Sequence, residues 1–218
     1  MKKFAKVGAG SIALLLVGCI GYGAFGYFDA ISDADDLRTR ADTLIASDFG
    51  GASLGAKRYQ QLLAVQDPRF EQHGGVDMTT PGAGITTISQ SLSKRVGFEK
   101  FTPGIGKIRQ TGYALGLESE LSKEQIMALW LDTLEMGRGP EGWVTGFHRM
   151  SEAVFGAPPR AIKDEQYLSL LAVMIAPARY RIGTKDDALA DRTGRIGRLV
   201  SGKCAPIDNS DVWLEGCM

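Results

Sequence analysis

Gln66-Asp67-Pro68-Arg69-Phe70-Glu71-Gln72-His73-Gly74-Gly75-Val76-Asp77 is the stretch on which the reading of this chain turns. Asp67-Pro68 has the form of a helix N-cap followed by proline at the first helical position. Phe70 suits a core or a groove wall, and His73 beside Gly74-Gly75 suits a hydrogen-bonded structural histidine. Upstream, residues 57–65 read as a short helix, and Ser47-Asp48-Phe49-Gly50-Gly51 breaks the weak helical periodicity of residues 30–46. Downstream, Gly82-Ala83-Gly84 is a loop, and Thr87-Ile88-Ser89-Gln90 opens a helix with a capping-box pattern. After the turn Phe101-Thr102-Pro103-Gly104, a helix over about 107–120 puts Ile108, Gly112 and Leu115 on one face. Ser122-Lys123-Glu124-Gln125 is a second capping box, starting a helix with Ile126, Leu129, Trp130 and Thr133 inward. Residues 137–146 read as a glycine-rich loop. The helix after it ends at Phe155, closed by Gly156 and Pro158-Pro159. Residues 165–176 are apolar nearly all round, the mark of a central buried helix, and a last helix spans about 188–201. Trp130, Trp143 and Trp213 are read as packing residues. The expected fold class is all-α.

The 218 residues suit one domain with a short appendage, and 44% hydrophobic content is enough to bury a core. Lys+Arg and Asp+Glu are both 25, so no global field favours nucleic acid, and none is expected as a partner. The N-terminus departs from this balance. After Lys2, Lys3 and Lys6, residues 7–28 carry no charge, and Asp29, Asp33, Asp35 and Asp36 follow. These residues span about 33 Å as a helix, enough for a bilayer core, and the flanking charges orient the rest of the chain outside the cytoplasm. A cleaved signal peptide is one alternative. Another comes from Leu16-Val17-Gly18-Cys19, which looks like a lipoprotein cleavage box that would leave Cys19 lipidated. The expected organisation is a cytoplasmic tip and anchor over 1–28, a domain over 29–203, and a tail over 204–218. Cys204 and Cys217 both lie in that tail, and an even pair in an oxidising compartment reads as a disulfide. No cofactor is implied, and no metal site is expected, because His73 and His148 do not sit at ligand spacing.

The opening stretch resembles the first signature of the peptidoglycan glycosyltransferases (family 51), found in monofunctional transglycosylases and class A penicillin-binding proteins, which polymerise lipid II into glycan strands. That signature is Glu-Asp-x-x-Phe-x-x-His-x-Gly, and the chain departs from it at the first letter, Gln66. Gly84-Ile85-Thr86-Thr87-Ile88-Ser89-Gln90-Ser91-Leu92-Ser93-Lys94 is similar to the second motif, Gly-Gly-Ser-Thr-Ile-Thr-Gln-Gln-Leu-x-Lys, with Ser91 in place of the second Gln. Gly106-Lys107-Ile108-Arg109-Gln110 occupies the third, Arg-Lys-x-x-Glu, and keeps its Lys. The run from Ser122 to Asp132 resembles the fourth, and Val154-Phe155-Gly156 with residues 168–177 resembles the closing segments. The interval between Asp77 and Gly84 is shorter than the family's; it belongs to the mobile, membrane-facing jaw of the family fold, so part of the substrate groove is expected to be missing.

The resemblance implies a lysozyme-like glycosyltransferase domain behind an N-terminal transmembrane helix, in the inner membrane and facing the periplasm. It puts the general base at position 66 and the carboxylate assisting the pyrophosphate at position 110, and both are Gln. A neutral amide keeps the shape of a carboxylate but takes no proton, and loss of a general base alone costs about 10²–10⁴ in rate. Asp67 is the one neighbouring substitute, although its expected role is capping. Phe70, His73, Thr87, Gln90, Lys94 and Lys107 are carried over as substrate-binding positions. A pyrophosphate could bridge Lys94 and Lys107 if their helices meet, with Arg95 and Arg109 adding charge. The expectation is a pseudoenzyme that binds lipid II or nascent glycan, or docks on other cell-wall synthesis proteins. The alternatives are an active enzyme using a substitute carboxylate and a purely structural partner-binding protein. Gln66, Lys94, Lys107 and Gln110 are expected to line one groove.

Overall fold

The computed structural model describes residues 2–82, 84 and 86–218, with side chains from Leu15 onward. Ala83 and Ile85, part of the expected loop and second motif, lie outside the described residues, as do the side chains of residues 7–14 of the expected anchor. Helix α1 (Lys2–Ala46) is followed by a 3-10 turn (Gly51–Leu54) and α2 (Ala56–Gln66). Then come α3 (Ile88–Val96), α4 (Gly106–Glu120) and α5 (Lys123–Thr133). Strands β1 (Glu135–Gly139) and β2 (Gly142–Thr145) precede α6 (Phe147–Phe155), α7 (Asp164–Val173) and α8 (Asp187–Val200). The fold is mostly helical, as expected, except for the hairpin.

The β1–β2 hairpin stands where a glycine-rich loop was expected. The strands pair antiparallel with an irregularity between Glu135 and Gly137, and Gly137 sits at φ 88, the backbone a bulge needs. Glycines here set the bulge and the turn rather than abolishing the strands. Trp143 on this hairpin is 50% exposed and donates its Nε1–H to Glu135, so it packs at the surface and not in the core. Trp130 is buried as expected, whereas Trp213 remains 39% exposed. The two capping boxes form as read: Thr87 with Gln90, and Ser122 with Gln125.

Helix α1 runs without a break through residue 28, the expected boundary of the anchor. Among the described residues it is the one helix long and apolar enough, by length and composition, to cross a membrane. Its later part belongs to the domain: Ala30, Ala34, Leu37 and Ala41 are buried, Arg109 donates to Asp29, and Tyr113 Oη donates to Asp33. Contact with α4 begins earlier still. A Cβ on Gly112 would lie 1.9 Å from Gly23 O, and one on Gly26 would lie 2.1 Å from Arg109 O. The two backbones therefore touch, and no side chain larger than hydrogen fits at the crossing.

Helices α5 and α7 form the centre. Ile126, Met127, Leu129 and Trp130 of α5, with Tyr167, Leu170 and Leu171 of α7, are fully or nearly fully buried in one cluster. This rigid centre holds α3 and α4 side by side, and the first-signature segment lies against the start of α3.

Candidate functional site

Asp67 is the hinge of the site. Residues 68–72 form turns, so Asp67 does not cap a helix of its own segment; it ends α2 and reaches across to α3 instead. Its Oδ2 accepts from Ile88 N–H at 2.9 Å in the first turn of α3. His73 Nδ1 accepts from Gly75 N–H at 3.1 Å, which leaves the proton on Nε2, and Nε2–H donates to the Asp67 carboxylate at 2.9 Å. Asp67 is 1% exposed, with both oxygens committed. Thr87 Oγ1 donates to Gly75 O at 2.7 Å and accepts from Gln90 N–H. Phe70 is fully buried, with the Lys123 ammonium 4.4 Å above its ring. Asp67, Phe70, His73 and Thr87 thus form a buried, hydrogen-bonded scaffold on the inner side of the site.

Sequence reading missed the rest of that scaffold. Lys123 Nζ donates to His73 O at 2.6 Å and to Glu118, whose other partner is the Ser89 hydroxyl. Glu118 had no signal, because a lone carboxylate late in a helix looks like a solvated face. Asp77 had none either. Its carboxylate accepts from the Thr80 hydroxyl and from the Thr79 amide and hydroxyl, with Arg69 beside it, and these donors hold its pKa well below the usual carboxylate range.

The C-terminal tail completes the short segment after Asp77. Cys204 and Cys217 are bonded, with Cα atoms 5.3 Å apart. The Asp211 carboxylate gathers the backbone N–H groups of Ile207, Glu215 and Gly216 into a compact loop. From this loop Asp208 O accepts from Gly82 N–H at 2.8 Å and Asn209 O from Gly84 N–H at 2.9 Å. Asn209 Nδ2 donates to Met78 O at 2.8 Å.

The two glutamines differ in environment. Gln66 is half-buried at the end of α2, and its amide makes no hydrogen bond among the described residues. Gln110 is 4% exposed, and its Nε2–H donates to Gln90 O at 2.6 Å. Gln90 in turn accepts at Oε1 from Thr87 N–H and donates from Nε2 to Thr111 Oγ1 at 3.1 Å. Gln90 and Gln110 therefore stitch α3 to α4.

Exposed cations complete the picture. Lys94 projects from the last turn of α3 and Lys107 from the first turn of α4, and neither is ion-paired among the described residues. Partial burial, then the Arg95 charge, then the Lys107 charge hold the Lys94 ammonium below its usual pKa. Lys94 enters a cavity of about 720 Å³ lined also by Arg40, Arg95, Phe98, Asp132 and Arg149, and Gln66 is not part of its lining. Arg95 is half-buried and donates to Thr133 and Ser91, and burial brings its guanidinium down to about 10. Arg109 is committed to Asp29 and stacks on Phe98, so it adds no free charge. Ile88, which is bonded to Asp67, and Lys94 lie about 9 Å apart along α3.

Residues 52–200 match the family model described as Transglycosylase. The chain is 30% identical over 132 residues to a biosynthetic peptidoglycan transglycosylase of Nitrosomonas eutropha, covering 55% of this chain and 52% of that protein. It is 26% identical over 144 residues to the Vibrio parahaemolyticus protein of the same name, covering 61% and 62%. Penicillin-binding protein 1B of Buchnera aphidicola is 26% identical over 148 residues, 62% of this chain and 20% of that one. The aligned part thus spans about half to three-fifths of the transglycosylases it matches. With the motifs in order on paired helices and the family model covering most of the domain, the chain belongs to the peptidoglycan transglycosylase family.

Proposed function

We propose that this protein holds a lipid-linked peptidoglycan precursor by its diphosphate and does not polymerise it. The observation that carries this reading is the state of the carboxylate positions. Position 66 offers an amide, position 110 offers an amide bonded to Gln90 O, and Asp67, the nearest acid, is buried with both oxygens engaged. Glycosyl transfer needs a base to take the proton from the attacking hydroxyl, and an amide oxygen does not do so near neutrality. A diphosphate needs only cations and donors, and Lys94 and Lys107 supply them from adjacent helices. The apolar N-terminal helix would anchor the domain at the outer face of the inner membrane, where such a precursor is displayed.

The test is a paired assay on the purified full chain with lipid II. Expected are measurable binding, several-fold weakened when Lys94 and Lys107 are both changed to Ala, and no glycan polymer. Polymer formed at a rate comparable to an intact family member would end the reading.

A further inference from the structure

Where the 3-10 turn, α2 and the start of α5 meet, the fold leaves a second concavity that shares no residue with the Lys94 cavity. It has a volume of about 630 Å³. Its floor is apolar, made by Gly51, Ala52 and Met127. Gly51 is seated so closely that a Cβ there would lie 2.8 Å from both Met127 and Tyr59. Above this floor stand Tyr59, Glu71 and Glu124. The Tyr59 hydroxyl donates to Glu71 at 2.5 Å. Burial, the bond to Glu71 and the charges of Glu71 and Glu124 raise the phenol above its usual pKa, so it stays a neutral donor. Both glutamates are exposed, and neither is ion-paired among the described residues. Lys123, the one cation on the walls, is already committed: its Nζ donates to His73 O and to Glu118.

We infer that this concavity is a docking pocket for an arginine side chain presented by a protein partner. An apolar floor asks for an alkyl stem, and two carboxylates without a counter-ion ask for a cation. A long basic side chain supplies both, with its stem on apolar surface and its charge at the rim. Arginine answers the Tyr59 ring as well, because its flat guanidinium stacks on aromatic faces and bonds carboxylates through several donors at once. A neutral apolar group in the same place would strip water from Glu71 and Glu124 and give them nothing in return. The position of the pocket gives docking a consequence. Glu71 directly follows the buried Phe70, and Lys123 holds the His73 carbonyl, so a seated partner bears on the segment that carries the first signature. The inference goes beyond the diphosphate reading and does not depend on it.

Met127 on the floor provides the reporter. The full chain in nanodiscs, labelled with carbon-13 at its methionine methyl groups, would be titrated with N-acetylarginine amide, N-acetyllysine amide and the neutral isostere N-acetylcitrulline amide. The Met127 resonance is identified by its loss in Met127→Leu. Expected is a saturable shift with the arginine compound and an affinity about tenfold lower for citrulline, the margin of a charge-assisted over a neutral hydrogen bond. Lysine binds more weakly than arginine. In the double variant Glu71→Gln with Glu124→Gln, arginine binds no better than citrulline, and in Ala52→Trp, which fills the cavity, neither binds. Both glutamates are exposed, so the double variant keeps the fold, as thermal melting checks.

Absence of any shift, equal binding of arginine and citrulline by the unmodified protein, or a charge preference that survives in the double variant would overturn the pocket. Lysine binding tighter than arginine would overturn the choice of side chain. Self-association of the full chain that N-acetylarginine amide reverses and the double variant abolishes would overturn the foreign partner, leaving a second copy of this chain as the source of the arginine.

Discussion

Gln110→Glu, the change that returns the family's carboxyl to this position, is expected to weaken the fold instead of repairing it. Gln110 is 4% exposed and its Nε2–H donates to Gln90 O at 2.6 Å; Ser93 Oγ donates to the same carbonyl at 2.9 Å. The substitution replaces that donor with an acceptor. Loss of the buried hydrogen bond costs about 1 kcal/mol, and a carboxylate held against a carbonyl adds roughly 1–3 kcal/mol. Ser93 still satisfies Gln90 O, which keeps the total near 2–3 kcal/mol, a fall in Tm of roughly 4–10 °C for a domain of this size. The penalty has a definite pH dependence. Burial raises the folded pKa of the new carboxyl above its unfolded value of about 4.3, so the variant is close to wild type at pH 4. The deficit grows as pH rises through the folded pKa, because the unfolded chain ionises first. Thermal denaturation of both proteins at pH 4 and pH 8 measures it. A variant that melts at or above wild type at pH 8 would refute the argument and make Gln110 a vacated catalytic position with no structural duty. On the reading proposed above, Gln66→Glu alone is expected to yield no polymer. Gly106→Arg is sterically open, since a Cβ there meets Phe101 at 3.7 Å, but Gln110→Glu brings its own cost.

Asp67→Ala removes the acceptor for His73 Nε2–H and Ile88 N–H and is expected to cost about 2–4 kcal/mol by denaturant unfolding. If it instead abolished a measurable polymerisation while melting like wild type, Asp67 would be a base and not a brace. His148 is 5% exposed, and burial, the largest influence on it, brings its pKa to about 4. It takes a proton in the unfolded chain first, so it contributes stability above pH 6.5 that is lost as pH falls toward 4. The loss is at most about 3 kcal/mol, and His148→Gln should flatten that part of a Tm-against-pH curve. Gly112→Leu drives a side chain into Gly23 O and should cost about 3 kcal/mol or detach α1 from α4, seen as loss of protection of the Tyr113 side chain in hydroxyl-radical footprinting. Replacing both Cys204 and Cys217 with Ser should lower stability by about 3 kcal/mol and speed amide exchange at Gly82 and Gly84.

The helices were legible because their signals are local. The capping boxes at Thr87 and Ser122 and the stop at Gly156 each act within one turn, and the structure keeps all three. The hairpin was not legible, because the same glycines that make a bulge and a tight turn also mark an irregular loop. Asp67 exposes the limit most sharply. Asp-Pro was read as a cap for its own segment, and it is a cap, but for a helix that starts twenty-one residues later. A partner so far along the chain leaves no periodicity to read. Burial of Phe70 and His73 follows from the same long-range contact. The motif order revealed which residues come together, while the division into buried scaffold and exposed cations had to come from the fold.

The tail has a consequence for the order in which this molecule can be completed. Asn209 supports Met78 across 131 residues of sequence, so the segment between the first two motifs emerges during synthesis long before its partner. An N-terminal portion of the chain can form α2 and α3, but the amides of Gly82 and Gly84 wait for Asp208 and Asn209. That loop in turn is closed by the Cys204–Cys217 bond, a kind of bond that forms and persists in oxidising surroundings. Final shaping of the region next to the site is therefore tied to formation of that bond. A copy whose Cys204 and Cys217 stay reduced would carry its motifs on an unfinished frame.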